Sequence, residues 1–286
     1  MSFCCQQQIN AFSPTLVQVL TFLHSLFKSG KADGSGLSYS ALNTARSALS
    51  TLVTIDGMPI GQHPMIERFM KATFNVRPAL PKNIVTWDVD CVLNYLKTLQ
   101  PSSALSLLML SQKLTMLLVL LAGQRGQSIH LLDIVNMTLT DNFVAFRLAE
   151  LTKTSRPNFH QQQLFFNCFD ADHSLCVVRI TKDYLNRTAP LRGEVKQLFV
   201  ATTPPHQAVS RDTIRRWTKN VMVAAGVDMN MFTVHSTRSA ATSKVASKLP
   251  MKTILATAGW SRPSTFQRFY NKPLENATFA NAILNG

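Results

Sequence analysis

The run from Ala104 to Ala122 restricts this chain more than any other feature. It is almost continuously apolar and about as long as a helix that spans a bilayer. Gln112 and Lys113 sit at its middle, however, where a charge in lipid is costly. The segment therefore reads as a buried core helix, and no membrane partner is expected. At 286 residues the chain is long for one compact domain and comfortable for two, and it can bury a sizeable core without disulfides or a structural metal.

The pattern before this helix is helical as well. Ser13 and Pro14 make a helix start, Thr15 to Lys28 carries Leu16, Val19, Leu20, Leu23 and Phe27 at helical spacing, and Gly30 is placed to end it. Ser38 opens a second helix through Val53, and Pro64 a third through Phe74. Asn75 to Asn83 holds Pro78 and Pro81 with Arg77 and Lys82, a composition that breaks helices and suits a basic linker. This divides the chain into a helical bundle (1–76), a linker (77–83) and a second domain (84–273), with a short tail (274–286). In the second domain, helices over Asp88–Leu99 and Ser103–Ala122 give way to two strand-like stretches, Phe143–Leu151 and Gln163–Asn167. These flank a polar turn, Thr152–His160, and so predict a β-hairpin. From Arg211 onward the pattern is helical again. The expected class is mainly α with a small β-hairpin or sheet (α+β).

The five cysteines are odd in number and show no CxxC pairing, which fits a reducing compartment and predicts neither a disulfide framework nor a zinc finger. Cys168, Asp170, Asp172, His173 and Cys176 gather possible ligands, but at no common zinc spacing, and read as a loop. The opening MSFCCQQQIN has neither the basic start nor the cleavage site of a secretory signal.

Charge points to a polyanionic partner. Lys and Arg number 29 against 15 Asp and Glu, a net +14. Residues 211–286 hold more than half of that excess, including Arg211, Arg215, Arg216, Lys219 and Lys244, which favours a binding face over a generally soluble surface. Both sides of the linker are basic; charge alone does not separate a nucleic acid from an acidic membrane surface, and if the partner is a DNA duplex the two domains are expected to clamp it with Asn75–Asn83 crossing it.

Five short pieces of the second domain carry chemistry. In order they are Arg125 in AGQRGQS, Lys153 in LTKTSRP, His235 and Arg238 in VHSTR, Trp260 in AGWS, and Tyr270 in FQRFYNKP. Alone, each has a bland reading. An HxxR pair is common on amphipathic helices, a lysine in a turn is usually solvated, Trp260 and Tyr270 could be packing aromatics, and Arg125 could be a charge at a helix end. Their order and spacing in a basic chain of this layout are far more specific. Together they resemble the active-site signature of the tyrosine recombinase (phage integrase) family over the whole of Ile84 to Pro273. The helical N-terminal region is similar, more loosely, to the family's core-binding domain. HSTRSAATSK followed by ILATAGWSRPSTFQRFYNKP looks most like the recombinases of DIRS-like retrotransposons.

The resemblance implies a site-specific recombinase or integrase that joins double-stranded DNA through a 3′-phosphotyrosyl intermediate, with no metal or other cofactor. Attack on a phosphodiester builds charge on the non-bridging oxygens, which calls for planar, permanently charged donors such as Arg125 and Arg238. Tyrosine, with a pKa of about 10, is a poor nucleophile until such charges and a base favour its phenolate. That assigns Tyr270 as nucleophile and His235 as the group that takes or shares its proton. By the family pattern, Lys153 is the general acid for the leaving 5′ oxygen, and Trp260 hydrogen-bonds the phosphate and packs the tyrosine helix. Arg77, Lys82, Arg156, Arg211, Arg215, Arg216, Lys219 and Lys244 are the expected DNA contacts. Ser128 stands where the family often has an acid, which predicts a retuned site and not a dead one.

The resemblance also implies a homo-tetramer on paired DNA sites and nuclear residence, with the segment beyond Tyr270 packing on a neighbouring protomer; its residues alone fit packing back on its own domain, or a loose chain end, nearly as well. Two other readings use the same residues. A type IB topoisomerase would relax DNA as a monomer, and a recombinase-derived DNA-binding protein would have no need of the nucleophile.

Overall fold

The computed structural model describes residues 2–78, 84–152, 155, 157 and 163–273, and it divides the chain into two compact units, Met1–Lys82 and Asn83–Gly286.

The first unit is a helical bundle. After a short α1 (Ser2–Gln6) come α2 (Leu16–Ser29), α3 (Tyr39–Leu52) and α4 (Pro64–Val76). The cap of α2 is Thr15, not Ser13: its hydroxyl accepts from the Gln18 amide while the Gln18 side chain accepts from the Thr15 amide, a reciprocal capping box. Ser38 caps α3 one way only, its hydroxyl accepting from the Ala41 amide, and His63 caps α4, with Pro64 at its first turn. Val19, Leu23, Leu42, Val53, Ile60, Ile66 and Met70 form the core. A two-residue ribbon, β1 (Thr54–Ile55) and β2 (Met58–Pro59), turns through Asp56 and Gly57, both at positive φ. Its sequence is too short to show strand alternation, and only the turn residues mark it.

The second unit is built round α6 (Leu107–Ala122), in which Leu110, Leu114 and Met116 through Leu120 are all buried. A helix apolar on every side needs neighbours on every side. These are α8 (Val177–Thr188), α9 (Arg211–Ala224) and α10 (Ser236–Val245). The helix starts later than expected, at Ser106, whose hydroxyl accepts from the Met109 amide, because Ser102–Ala104 forms a separate 3-10 turn. Lys113 is also buried. Its ammonium donates to the Leu99 carbonyl at 2.6 Å, and burial pulls its pKa below the ordinary lysine value. Among the described residues no helix is long and apolar enough to cross a membrane.

The remaining elements are α5 (Val89–Thr98), α7 (Gly126–His130), a three-stranded sheet, α11 (Met251–Ala258) and α12 (Pro263–Phe269). The sheet is antiparallel in the order β3 (Met137–Leu139), β4 (Phe143–Arg147), β5 (Gln163–Asn167), with Phe143 opposite Asn167 and Arg147 opposite Gln163. β4 is shorter than the stretch to Leu151, and β3 was not anticipated. In β5, Leu164 and Phe166 face the core while Phe165 is exposed and stacks on Phe143. Most of the turn between β4 and β5, Lys153 and Arg156 included, lies outside the described residues, as do Lys82 and the tail from Leu274.

Candidate active site

Two left-handed glycines aim the first pieces of the site. Gly123 ends α6 at φ +56°, and a Cβ there would meet Thr242 Cγ2 at 3.3 Å. The chain turns past it through buried Gln124 and brings Arg125 to the N-terminal end of α7. Gly259 ends α11 at φ +72° and delivers Trp260.

Helix α10 carries the centre. Its sequence, STRSAATSKV, is made largely of small residues, so neighbouring elements approach closely and bury Thr237, Arg238, Ser239, Ala240 and Thr242. Arg238 is 1% exposed. Its Nη2 donates to the Ala258 carbonyl at 2.6 Å, at the C-terminal end of α11, where unpaired carbonyls and the helix dipole favour a cation. Its guanidinium carbon lies 4.2 Å from the Trp260 ring centroid and 5.3 Å from that of Tyr270. Nε and Nη1 are buried with no hydrogen-bond partner among the described residues, and the same is true of Trp260 Nε1.

The electrostatics agree with that geometry. Burial, and then the nearby charge of Arg125, lower the Arg238 pKa to about 10, while Tyr270 works in the opposite direction. Arg125 and Arg238 line one cleft of about 350 Å³ together with His235, Arg211 and Arg215. Two mutually repelling guanidinium groups and buried donors without acceptors describe a place made for an anion with several acceptor oxygens.

Tyr270 follows α12 directly and is half-buried. Its ring sits 4.5 Å from Trp260 and 6.2 Å from His235, centroid to centroid. Beneath it Ile254, Ala258, Trp260 and Phe266 form a small core of their own. The tyrosine backbone is held by two residues that the sequence reading passed over: Ser239 Oγ and Ser243 Oγ both donate to the Tyr270 carbonyl, at 3.0 and 2.7 Å. Ser243 Oγ also accepts from the Lys272 amide. Their spacing puts 239 and 243 one turn apart on one face of α10, but it does not show that the tyrosine backbone lies over that face.

Other expected residues have different surroundings. The Arg77 guanidinium donates to the Leu37 and Phe27 carbonyls and lies over the Phe27 ring, inside the first unit. Lys244 pairs with Asp90 at 2.6 Å and Asp88 at 4.0 Å. Arg216 and Lys219 are exposed on α9. Ser128 is buried and donates to Gln124 Oε1 at 3.3 Å, while Gln124 Nε2 donates to the Thr257 carbonyl. The serine thus ties α7 toward the end of α11 without adding a charge. Trp87, 3% exposed, donates from Nε1 to Ser236 Oγ at 2.9 Å, next to His235.

No protein-family model and no curated protein sequence matches the chain. Solved structures do. A Tn1549 transposon integrase in complex with transposon right end DNA superposes with a TM-score of 0.58 at 14% identity, over 95% of this chain and 84% of that one. The XerH site-specific recombinase bound to a palindromic difH substrate, in a post-cleavage complex, gives 0.56 at 13% identity, over 90% and 68%. The fold is that of the tyrosine recombinases. A lambda integrase dimer bound to a COC′ core site matches at 0.51 and 14% identity, over 92% and 82% of the two chains. Within this tyrosine-recombinase fold, Arg125, His235, Arg238, Trp260 and Tyr270 come from four separate stretches of sequence and converge on one place.

Proposed function

We propose that the protein is a site-specific DNA recombinase or integrase of the tyrosine type, serving a mobile element of the DIRS-like kind. One observation carries the reading: Arg238 is buried against the paired rings of Trp260 and Tyr270, its Nε and Nη1 have no partner among the described residues, and it shares its cleft with Arg125. A buried guanidinium beside a second, half-buried one is costly to keep charged without an anion, and the group able to attack that anion stands beside it.

In the proposed reaction Tyr270 Oη attacks a backbone phosphorus of double-stranded DNA and gives up its proton to His235. Arg125 and Arg238 bind the non-bridging oxygens, Trp260 Nε1 adds a donor, and the bond to the 5′ oxygen breaks. Lys153 protonates that oxygen, leaving a 5′ hydroxyl and a 3′-phosphotyrosyl link. Attack by a 5′ hydroxyl reverses each step, so rejoining needs no nucleotide cofactor and no metal. Arg211 and Arg215, which line the same cleft, would hold flanking phosphates.

The test is covalent trapping. The protein is incubated with a library of nicked duplexes, and adducts that survive denaturation are recovered and sequenced. Wild-type protein is expected to give an adduct at Tyr270. Tyr270→Phe is expected to give none while binding DNA within about twofold of wild type, because one hydroxyl is lost and almost no binding surface. Adduct persisting in Tyr270→Phe overturns the assignment of the nucleophile. Wild-type protein that binds DNA and never forms an adduct favours a binding protein without catalysis.

A further inference from the structure

Outside the cleft, the least explained feature is a pair of thiols. Cys168 follows β5, Cys176 precedes α8, and their Sγ atoms are 3.6 Å apart. No sequence spacing marks them as a pair; the 3-10 turn His173–Leu175 folds the intervening loop back so that they meet. The Cys168 amide donates to the Asn142 carbonyl, which anchors that residue at the β3–β4 turn. Cys176 is fully buried, and its sulfur accepts from the Phe169 amide at 3.3 Å. Cys168 is half-buried and lines an open cleft of about 580 Å³, where a small reagent can reach it. Among the described residues no group of three His, Cys, Asp or Glu side chains could hold a metal ion here.

We propose that Cys168 and Cys176 form a redox modification site, closing to a reversible disulfide that ties the foot of the β4–β5 hairpin to the first turn of α8. Closure needs the sulfurs to approach from 3.6 Å to the bond length of about 2.05 Å, within the reach of side-chain rotation and a small shift of the loop. The two thiols are already differentiated. The hydrogen bond to Cys176, and then burial, raise the Cys168 pKa. For Cys176 burial is outweighed by the Phe169 and Arg179 amides and by the Cys168 thiol, so its pKa falls below the usual thiol value. The Cys168 thiol also donates to Asp170 Oδ1 at 3.4 Å.

The oxidant is a low-molecular-weight disulfide such as oxidised glutathione. The Cys168 thiol loses its proton to solvent and its sulfur attacks one glutathione sulfur. A mixed disulfide forms and the first glutathione leaves as its thiol. Cys176 then loses its proton to solvent and attacks the Cys168 sulfur, and the second glutathione leaves as its thiol. Two protein thiols are oxidised and one glutathione disulfide is reduced to two thiols. In a glutathione-buffered compartment a pair of this kind stands open at rest and closes under oxidation.

The experiment equilibrates the whole chain with oxidised and reduced glutathione, quenches with acid, labels free thiols and maps the peptides by mass spectrometry. The expected product is a peptide pair joined through Cys168 and Cys176, two hydrogens lighter than the reduced pair and restored by dithiothreitol. Oxidised wild-type protein should melt about 5 °C higher than reduced protein. Cys168→Ser, at a half-buried position, should leave Cys176 as an unmodified thiol and show no such rise. A stable glutathione adduct on Cys168 with Cys176 still free, a bridge to Cys4, Cys5 or Cys91 instead, or both thiols unreacted would each overturn the proposal.

Discussion

The indole of Trp260 lies against the phenol ring of Tyr270, centroids 4.5 Å apart at 41°, and the Arg238 guanidinium covers the indole at 4.2 Å. Trp260 therefore has two separable contributions: its ring fixes the relative position of Arg238 and Tyr270, and its Nε1, without a partner among the described residues, can donate to an acceptor. Trp260→Phe keeps much of the ring and removes the donor. Its stability should stay within ~1.5 kcal/mol of wild type, while adduct formation slows by about tenfold, the rate equivalent of one hydrogen bond. Trp260→Ala removes both, and should lower stability by about 3–5 kcal/mol as well. Thermal melts alongside single-turnover cleavage distinguish the two contributions. Equal cleavage rates for Trp260→Phe and wild type would leave Nε1 without a part in the chemistry.

Ser239 and Ser243 hold the Tyr270 carbonyl from one face of α10. Each bond should be worth about 1 kcal/mol. Because both hydroxyls meet on one oxygen, the double alanine variant should depart from additivity by more than about 0.5 kcal/mol. The tyrosine itself remains, so adduct still forms, with a lower rate and unchanged DNA affinity. Complete loss of adduct in Ser239→Ala would mean that the serine acts on the reacting atoms directly.

How far the sequence disclosed this site depends on whether the signal is local. Gly259 before Trp260, and His235 three residues before Arg238, are local patterns, and their placement was readable. The hydrogen bonds from Ser239 and Ser243 were not, because they join residues 31 and 27 positions apart, and nothing in α10 reveals what lies over it. The partners of a charged side chain are not local information either. Arg77 looked available for DNA in a basic linker, yet its donors meet carbonyls 40 and 50 residues earlier in the chain. The cap of α6 is Ser106 and not Ser103, because Ser102–Ala104 forms a 3-10 turn of its own before the helix. Strand β3 is only three residues long, and pairing with β4 rather than its own alternation makes it a strand.

Lys153 lies outside the described residues, in the connection between β4 and β5, and its assignment as general acid rests on its place in LTKTSRP. A group that only donates a proton to the leaving oxygen becomes dispensable when that oxygen is replaced by sulfur, which departs without protonation. Lys153→Ala should be slowed about 100-fold or more on ordinary DNA and restored to within about tenfold of wild type on a 5′-phosphorothiolate substrate. A defect of the same size on both substrates would assign the lysine to binding or folding.

The tail beyond the nucleophile bears on assembly. The Lys272 amide donates to Ser243 Oγ, and the Pro273 carbonyl accepts from the Thr86 amide at 2.8 Å, so the second unit keeps its hold on the chain up to Pro273. The tail, 274–286, lies outside the described residues, but its sequence places Phe279 one turn before Ile283 and Ala280 one turn before Leu284. A helix that short is unstable unless it docks. A head-to-tail exchange between protomers would close a ring, and four protomers on two duplexes would then communicate through it. Ending the chain after Pro273 removes none of the anchors beneath Tyr270. The shortened protein should therefore bind a single site and form the covalent adduct at near wild-type levels, yet give markedly fewer synaptic complexes and little complete strand exchange. Native gels and sizing on paired sites read the first effect, and product junctions the second. Tetrameric synapses at wild-type levels without the tail would show that the protomers are joined by other surfaces.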